Sequence, residues 1–194
     1  MRRLAFLYLS FAALVLQACG WTITPPAPSP TVVGLVCGEE RWAVKTLSDP
    51  DVMRVNMNDV ISTTVAALNG FTAHCSGLPA ARTYPEEFRV FEIIGTVVLT
   101  RDEDDRDVHV VLSDLADPSQ TIIVEVADPA CQGAAQSPFL AFLIQARSQY
   151  QSLGRLIGKT IRVRGVGFYD FDHGQTGRSR SCIELHPVLA ISLA

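Results

Sequence analysis

The chain has 194 residues, 48% of them hydrophobic and 19% charged, with a formal net charge of −4. That length and apolar content suit one globular domain with an accessory segment. The acidic balance argues against binding nucleic acid by neutralising phosphates, and no nucleic-acid partner is expected.

At the N-terminus Arg2 and Arg3 precede an apolar run of thirteen residues, LAFLYLSFAALVL, from Leu4 to Leu16. A finished membrane helix needs about 20 residues, so the run fits the centre of a secretory signal instead. It ends in Leu16-Gln17-Ala18-Cys19-Gly20. Charge, apolar run and this box, in that order, resemble the bacterial lipoprotein signal. The resemblance implies that residues 1–18 are removed by signal peptidase II, that Cys19 carries a diacylglyceryl group on sulfur, and that the new N-terminus is acylated, with palmitate as the label to follow. It further implies an extracytoplasmic protein anchored to the cell membrane through lipid. In a cell with an outer membrane that is the destination, because Gly20 is not the aspartate that retains lipoproteins in the inner one. Each buried methylene contributes about 0.8 kcal/mol and one chain binds only marginally, so two or three chains on Cys19 are needed for stable attachment. Loss of Arg2 and Arg3 takes the basic count from 16 to 14 against 20 acidic side chains, a net of −6.

Residues 19–36 read as the lipidated cysteine and a proline-rich tether, GWTITPPAPSP being uncharged and extended. Residues 37–87 read as an accessory segment. Within it RWAVKT suggests a short strand, Asp49-Pro50-Asp51 a turn, and the alternation of Val55 and Met57 with Asn56 and Asn58 an edge strand. STTVAALN suggests a short helix capped by Ser62 and stopped by Gly70.

From residue 88 the pattern is orderly. Phe88 to Arg101 is β-rich with a bend at Gly95. DVHVVLS alternates, with Val108, Val110 and Leu112 on one face, and TIIVEV is a third strand. Ser137-Pro138 opens a helix whose stripe is Phe139, Phe142, Leu143, Ala146 and Tyr150, ending at Gly154. GKTIRVRGVGFYDF and CIELHPVLAISLA are two more strands, the latter with Ile183, Leu185, Leu189, Ile191 and Leu193 on one parity. Three strands, a helix and two strands resemble the OB-fold, so residues 88–194 are expected to form a mainly β, five-stranded OB-like barrel with its helix between the third and fourth strands. The alternative is an open antiparallel α+β sheet with one helix packed on it. The elements ERWAVKTLSD, HGQTG and IELHPV also resemble a group of bacterial secreted proteins, a resemblance that brings no activity with it.

Cys37, Cys75, Cys131 and Cys182 suggest two disulfides in an oxidising compartment. Pairing Cys37 with Cys75 and Cys131 with Cys182 keeps each bridge within one half of the chain. No CxxC spacing supports a zinc site.

Strand alternation places Glu184 and His186 on one face of the last strand, with Asp170 and Asp172 on the neighbouring one. With His173 they form a candidate site for a divalent metal on the barrel's outer surface. The plainer reading pairs these carboxylates with Arg162 and Arg164 across the strands. Gly174 and Gly177, beside Arg178 and Arg180, can present amides to an acidic ligand, or simply punctuate a turn. The loop RDEDDRD holds enough carboxylates for calcium in Asp102, Glu103, Asp104, Asp105 and Asp107, but lacks the glycine and spaced glutamate of an EF-hand, so a solvated turn is the plainer expectation. No nucleophile motif is present. The sequence therefore points to an envelope-associated, non-catalytic binding module without a required cofactor, engaging the membrane through its anchor and a protein or small-molecule ligand through its loops. The alternative is an extracytoplasmic metal-dependent hydrolase built on the last two strands.

Overall fold

A computed structural model of the protein describes residues 35–38 and 40–194; the signal, Cys19 and the tether as far as residue 34 lie outside them. Among the described residues no helix is long and apolar enough to cross a membrane.

Six strands form the sheet: β1 (Val60–Ser62), β2 (Val90–Asp102), β3 (Val108–Ser113), β4 (Thr121–Val126), β5 (Thr160–Tyr169) and β6 (Ile183–Leu193). The long strand β2 serves two partners. Its first half pairs with β5, from Val90 opposite Val166 to Thr96 opposite Thr160. Its second half pairs with β3, from Thr96 opposite Ser113 to Asp102 opposite Val108. The changeover falls beside Gly95, where a Cβ would stand 2.8 Å from the Ser113 carbonyl oxygen. β3 then pairs with β4, β4 runs parallel to β6, and β6 pairs with β5, which closes the circuit. Helix α3 (Leu140–Leu153) lies between β4 and β5 in the chain. This closed order of five strands, with β4–β6 as its one parallel pair, is that of an OB barrel, and β1 adds to β2 in parallel outside the circuit. The expected barrel is therefore present, and the open sheet is not.

Inside the barrel the predicted alternation holds for Val108, Val110, Leu112, Ile183 and Leu185, all in one buried cluster with Ile161 and Val163. Leu189 departs from it. The register of β6 against β5 shifts around Gly165, so Val188 joins the barrel core and Leu189 joins a second cluster. The α3 stripe is also shorter than expected. Leu143 and Ala146 are buried, but Phe142 is 39% exposed. Ser137 sits one turn ahead of the helix, accepting from the Phe139 N–H (3.1 Å) and donating to the Leu47 carbonyl (2.7 Å).

The accessory segment packs on the outer face of the barrel. RWAVKT is not a strand: α1 (Trp42–Lys45) is a single helical turn entered through Arg41 in the left-handed region. Tertiary contacts override its local propensity. The Arg41 guanidinium donates to the Tyr169 carbonyl and pairs with Glu87 at 2.7 Å, and the Trp42 indole donates to the Gln132 carbonyl. Arg82 adds a bond to Asp49 (3.0 Å) and another to the Val44 carbonyl (2.9 Å). The expected turn at Asp49-Pro50-Asp51 forms. Val55 is not on an edge strand; it is buried after a 3₁₀ turn in the second cluster with Leu47, Val52, Val90, Val166 and Leu189. The short helix α2 (Val65–Asn69) ends at Gly70 as expected, but its cap is Thr64, whose hydroxyl accepts from Ala67, rather than Ser62.

Two disulfides join this layer to the barrel, and their pairing crosses the two halves: Cys37 with Cys131 and Cys75 with Cys182, at Cα separations of 5.7 and 5.3 Å. The expected pairing fails because the accessory segment lies over the barrel, which brings its cysteines to barrel loops instead of to each other. Loops of 94 and 107 residues are closed, each restricting the unfolded chain by about 4 to 5 kcal/mol. Such bridges suggest an oxidising, extracytoplasmic environment.

Candidate functional site

The outer face of β3, β4 and β6 carries a group of buried polar side chains, His109, Glu125, Glu184 and His186. His109 on β3 stands directly opposite Glu125 on β4. Val124 of β4 pairs with Leu185 of β6, so Glu184 and His186 flank that point on the same outer face. The β2–β3 hairpin and the β5–β6 loop rise on either side, and Lys45 of α1 approaches from the accessory layer. Together they enclose a cavity of about 450 Å³ lined by Lys45, Arg101, Glu103, Asp104, Asp105, His109, Glu125, Asp170, His173, Gly174, Gln175, Thr176 and Glu184.

Beneath the cavity His186 is fully buried. Its Nε2 lies 3.0 Å from Asp107 Oδ2, and its Nδ1 2.8 Å from Glu125 Oε2, the latter too poorly aligned to count as a hydrogen bond. Burial opposes the charged imidazolium, but the charge of Glu125 and the bond to Asp107 outweigh it and push the pKa up to about 10. Glu125 is shared. Burial raises its pKa, yet the charge of His186 and the bond from His109 hold it well below the usual carboxylate range. His109 completes the chain, with Nδ1 3.2 Å from Glu125 Oε1 and 3.3 Å from Glu103 Oε1, and Nε2 3.1 Å from the Thr176 carbonyl oxygen.

Two carboxylates on the cavity wall each leave one buried oxygen without a hydrogen bond. Glu184 is 2% exposed and its Oε2 has no hydrogen bond; burial, then the charges of Glu125 and Asp170, raise its pKa well above the ordinary value. Asp170 is 5% exposed, and its Oδ1 is likewise unpartnered, while its Oδ2 lies 3.8 Å from Lys45 Nζ and 3.5 Å from His173 Nε2. Burial disfavours the Lys45 ammonium, but the charge of Asp170, followed by Glu125 and Glu184, raises its pKa overall.

The residues singled out from the sequence divide. Asp170, His173, Glu184 and Gly174 line the cavity, and His186 lies beneath it. Asp172 does not: it pairs with Arg178 at 3.2 Å. Arg178 also donates to the Ser179 carbonyl and Cys182 sulfur, and Arg180 is an exposed side chain whose backbone N–H meets Asn69 Oδ1. Gly177 adopts φ +88° against Val111, and the Gly174 N–H donates to Asp172 Oδ1. Arg162 and Arg164 do not pair with the loop carboxylates as expected; both meet Glu92 on β2, at 2.9 and 3.0 Å. The reason is distance. Asp170 lies six residues beyond Arg164, about 20 Å along a strand, whereas Glu92 is directly opposite. The RDEDDRD loop is not simply a solvated turn. Asp107 is buried on His186, Arg106 pairs with Asp128 at 2.6 Å, and Glu103, Asp104 and Asp105 face the cavity.

Sequence reasoning missed His109, Glu125 and Lys45. The first two carried a signal: each is the titratable side chain on the outward parity of its strand, and the parallel third and fifth strands of an OB barrel bring those faces together. Lys45 carried none.

No protein-family model and no curated protein matches the chain. A solved structure similar to it is the OB4 domain of the yeast telomere protein Cdc13, with 9% identity and a TM-score of 0.32 over 58% of this chain and 80% of that one. At that score the likeness adds nothing to the strand order.

Proposed function

We propose that the chain is an exported lipoprotein, anchored through Cys19, whose barrel acts as a non-catalytic binding module for a small cationic ligand. The observation that carries the ligand class is the buried, unpartnered Glu184 on the wall of a cavity whose lining carboxylates, six of them, face only Lys45 and Arg101 as fixed cations. Buried acceptors without donors favour a ligand that brings positive charge or hydrogens. Export is supported by the signal-like N-terminus and by the two disulfides. Binding rather than acid–base chemistry is supported by His186, which is closed off from solvent and held charged between two carboxylates.

The hydrolase alternative required Asp170, Asp172, His173, Glu184 and His186 around one ion. Among the described residues the groups close enough to share an ion are Glu103–His109–Glu125 and Asp107–Glu125–His186, and neither is that set.

Two experiments test the reading. Labelled palmitate should enter the wild-type protein and not Cys19→Ala, which should also leave the membrane fraction. Calorimetric titration of the detergent-solubilised lipoprotein with amine cations and divalent metals should find at least one that binds to wild type and not to Glu184→Ala. Unmodified Cys19, or a protein indifferent to every cation, contradicts it.

A further inference from the structure

The cavity offers more than negative charge. His109 Nε2 lies 3.1 Å from the Thr176 carbonyl oxygen, which can only accept, so that nitrogen carries a hydrogen. Nδ1 lies 3.2 Å from Glu125 Oε1 and 3.3 Å from Glu103 Oε1, and without an ion its hydrogen bonds Glu125. One nitrogen and two carboxylate oxygens thus converge on one point, and a metal ion that displaces the Nδ1 proton would sit between them.

We propose that this point is a divalent transition-metal site, with His109 Nδ1, Glu125 Oε1 and Glu103 Oε1 as its protein ligands. The inference rests on the reading of the cavity as the ligand site and names the ligand. Metal–nitrogen and metal–oxygen bonds of about 2.0–2.2 Å put neighbouring ligands of a tetrahedral or octahedral ion about 3.0–3.5 Å apart. Both separations from Nδ1 fall in that range, and all three atoms lie within 4.8 Å of one another. The Nε2–H bond to a backbone carbonyl is the arrangement that fixes a ligating histidine's tautomer and ring plane. One imidazole with two carboxylates suits zinc, cobalt or manganese better than calcium or magnesium.

A second, independent observation points the same way. Glu184 Oε2 and Asp170 Oδ1 are buried on the wall of the same cavity without a donor. Three protein ligands leave room for bound water, and water on a metal supplies the hydrogens these oxygens lack. Arg101 now holds Glu103 Oε1 at 2.6 Å, but its side chain is 53% exposed and can yield to an ion.

The test is Zn²⁺ binding to the full lipoprotein in detergent, with Co²⁺ substitution as a spectroscopic check. One equivalent of Zn²⁺ is expected, and the Co²⁺ derivative should absorb in the visible as a mixed nitrogen and oxygen site. His109→Ala and Glu103→Gln should each weaken binding at least tenfold, while Glu92→Gln, remote on β2, should not. Glu103 lies on a partly exposed hairpin, so Glu103→Gln keeps the test decisive even where His109→Ala fails to fold. Absence of stoichiometric Zn²⁺, or binding indifferent to both variants, overturns the assignment. Binding of an amine cation that depends on Glu184, without Zn²⁺, overturns the metal alone; no cation bound at all overturns the cationic-ligand reading with it.

Discussion

His186 and Asp107 are separated by 79 residues in sequence and by 3.0 Å in space, and neither side chain is reached by solvent. The aspartate also accepts from the Asp128 N–H through its other oxygen, at 2.9 Å. It thus ties the β2–β3 hairpin to β6 and to the loop after β4. Asp107→Ala removes one partner and strands a buried imidazolium beside Glu125. We expect a loss of about 3 to 5 kcal/mol in urea unfolding. A loss below about 1 kcal/mol is incompatible with the pairing described.

Peptide mapping without reduction should recover Cys37 linked to Cys131 and Cys75 linked to Cys182. Replacing both members of either pair with serine should lower stability by about 4 kcal/mol through the unfolded state. Recovery of a Cys37–Cys75 peptide is the result that contradicts the layered arrangement.

Asp114 accepts backbone hydrogen bonds from Ala66, Ala116 and Asp117 at 2.9, 2.9 and 3.1 Å. Burial alone raises its pKa, but these amides bring it below the ordinary value of 3.8. A depressed carboxylate stabilises the fold above its unfolded pKa and loses that contribution as pH falls through the folded one. Between pH 5 and pH 2, wild type should therefore lose more stability than Asp114→Asn. Parallel acid-unfolding curves for the two proteins count against the linkage.

Gly177 has φ +88°, and a Cβ there would stand 2.3 Å from a Val111 methyl. Gly177→Ala meets both strain and a clash. The expected effect is a destabilisation of about 1 to 3 kcal/mol and a displaced Thr176 carbonyl, read as weakened protection of the β5–β6 loop in hydrogen exchange.

Arg101 competes for the Glu103 oxygen assigned to the metal. Arg101→Ala should tighten Zn²⁺ binding several-fold. A weaker Zn²⁺ complex in that variant assigns Arg101 a supporting role and removes the competition argument.

The barrel was legible because its strands alternate with period two and its helix with period 3.6; Val108, Val110 and Leu112 needed no tertiary information to be placed inside. Leu189 was misplaced because a register shift in β6 depends on how β5 packs around Gly165. The accessory layer was illegible for a related reason. The single turn Trp42–Lys45 is held by Arg41, Trp42 and Arg82 reaching carbonyls far along the chain, and no local pattern announces such bonds. Half of the candidate site, Asp170, His173 and Glu184, could be read from one hairpin. The other half lies on strands that meet it only through the parallel pairing of β4 with β6, and Lys45 arrives from a layer whose docking the sequence did not disclose.

The Cys37–Cys131 bridge also fixes how the domain bears load. A pull on the chain ahead of Cys37 passes through a covalent bond to Cys131, at the start of the connection into α3. The chain between them, which includes α1 and the first three barrel strands, is left outside the line of force. In a domain anchored as proposed, shear of the surrounding medium would therefore load that sulfur–sulfur link before it peeled the covering layer from the cavity, and Lys45 would keep its place over the site.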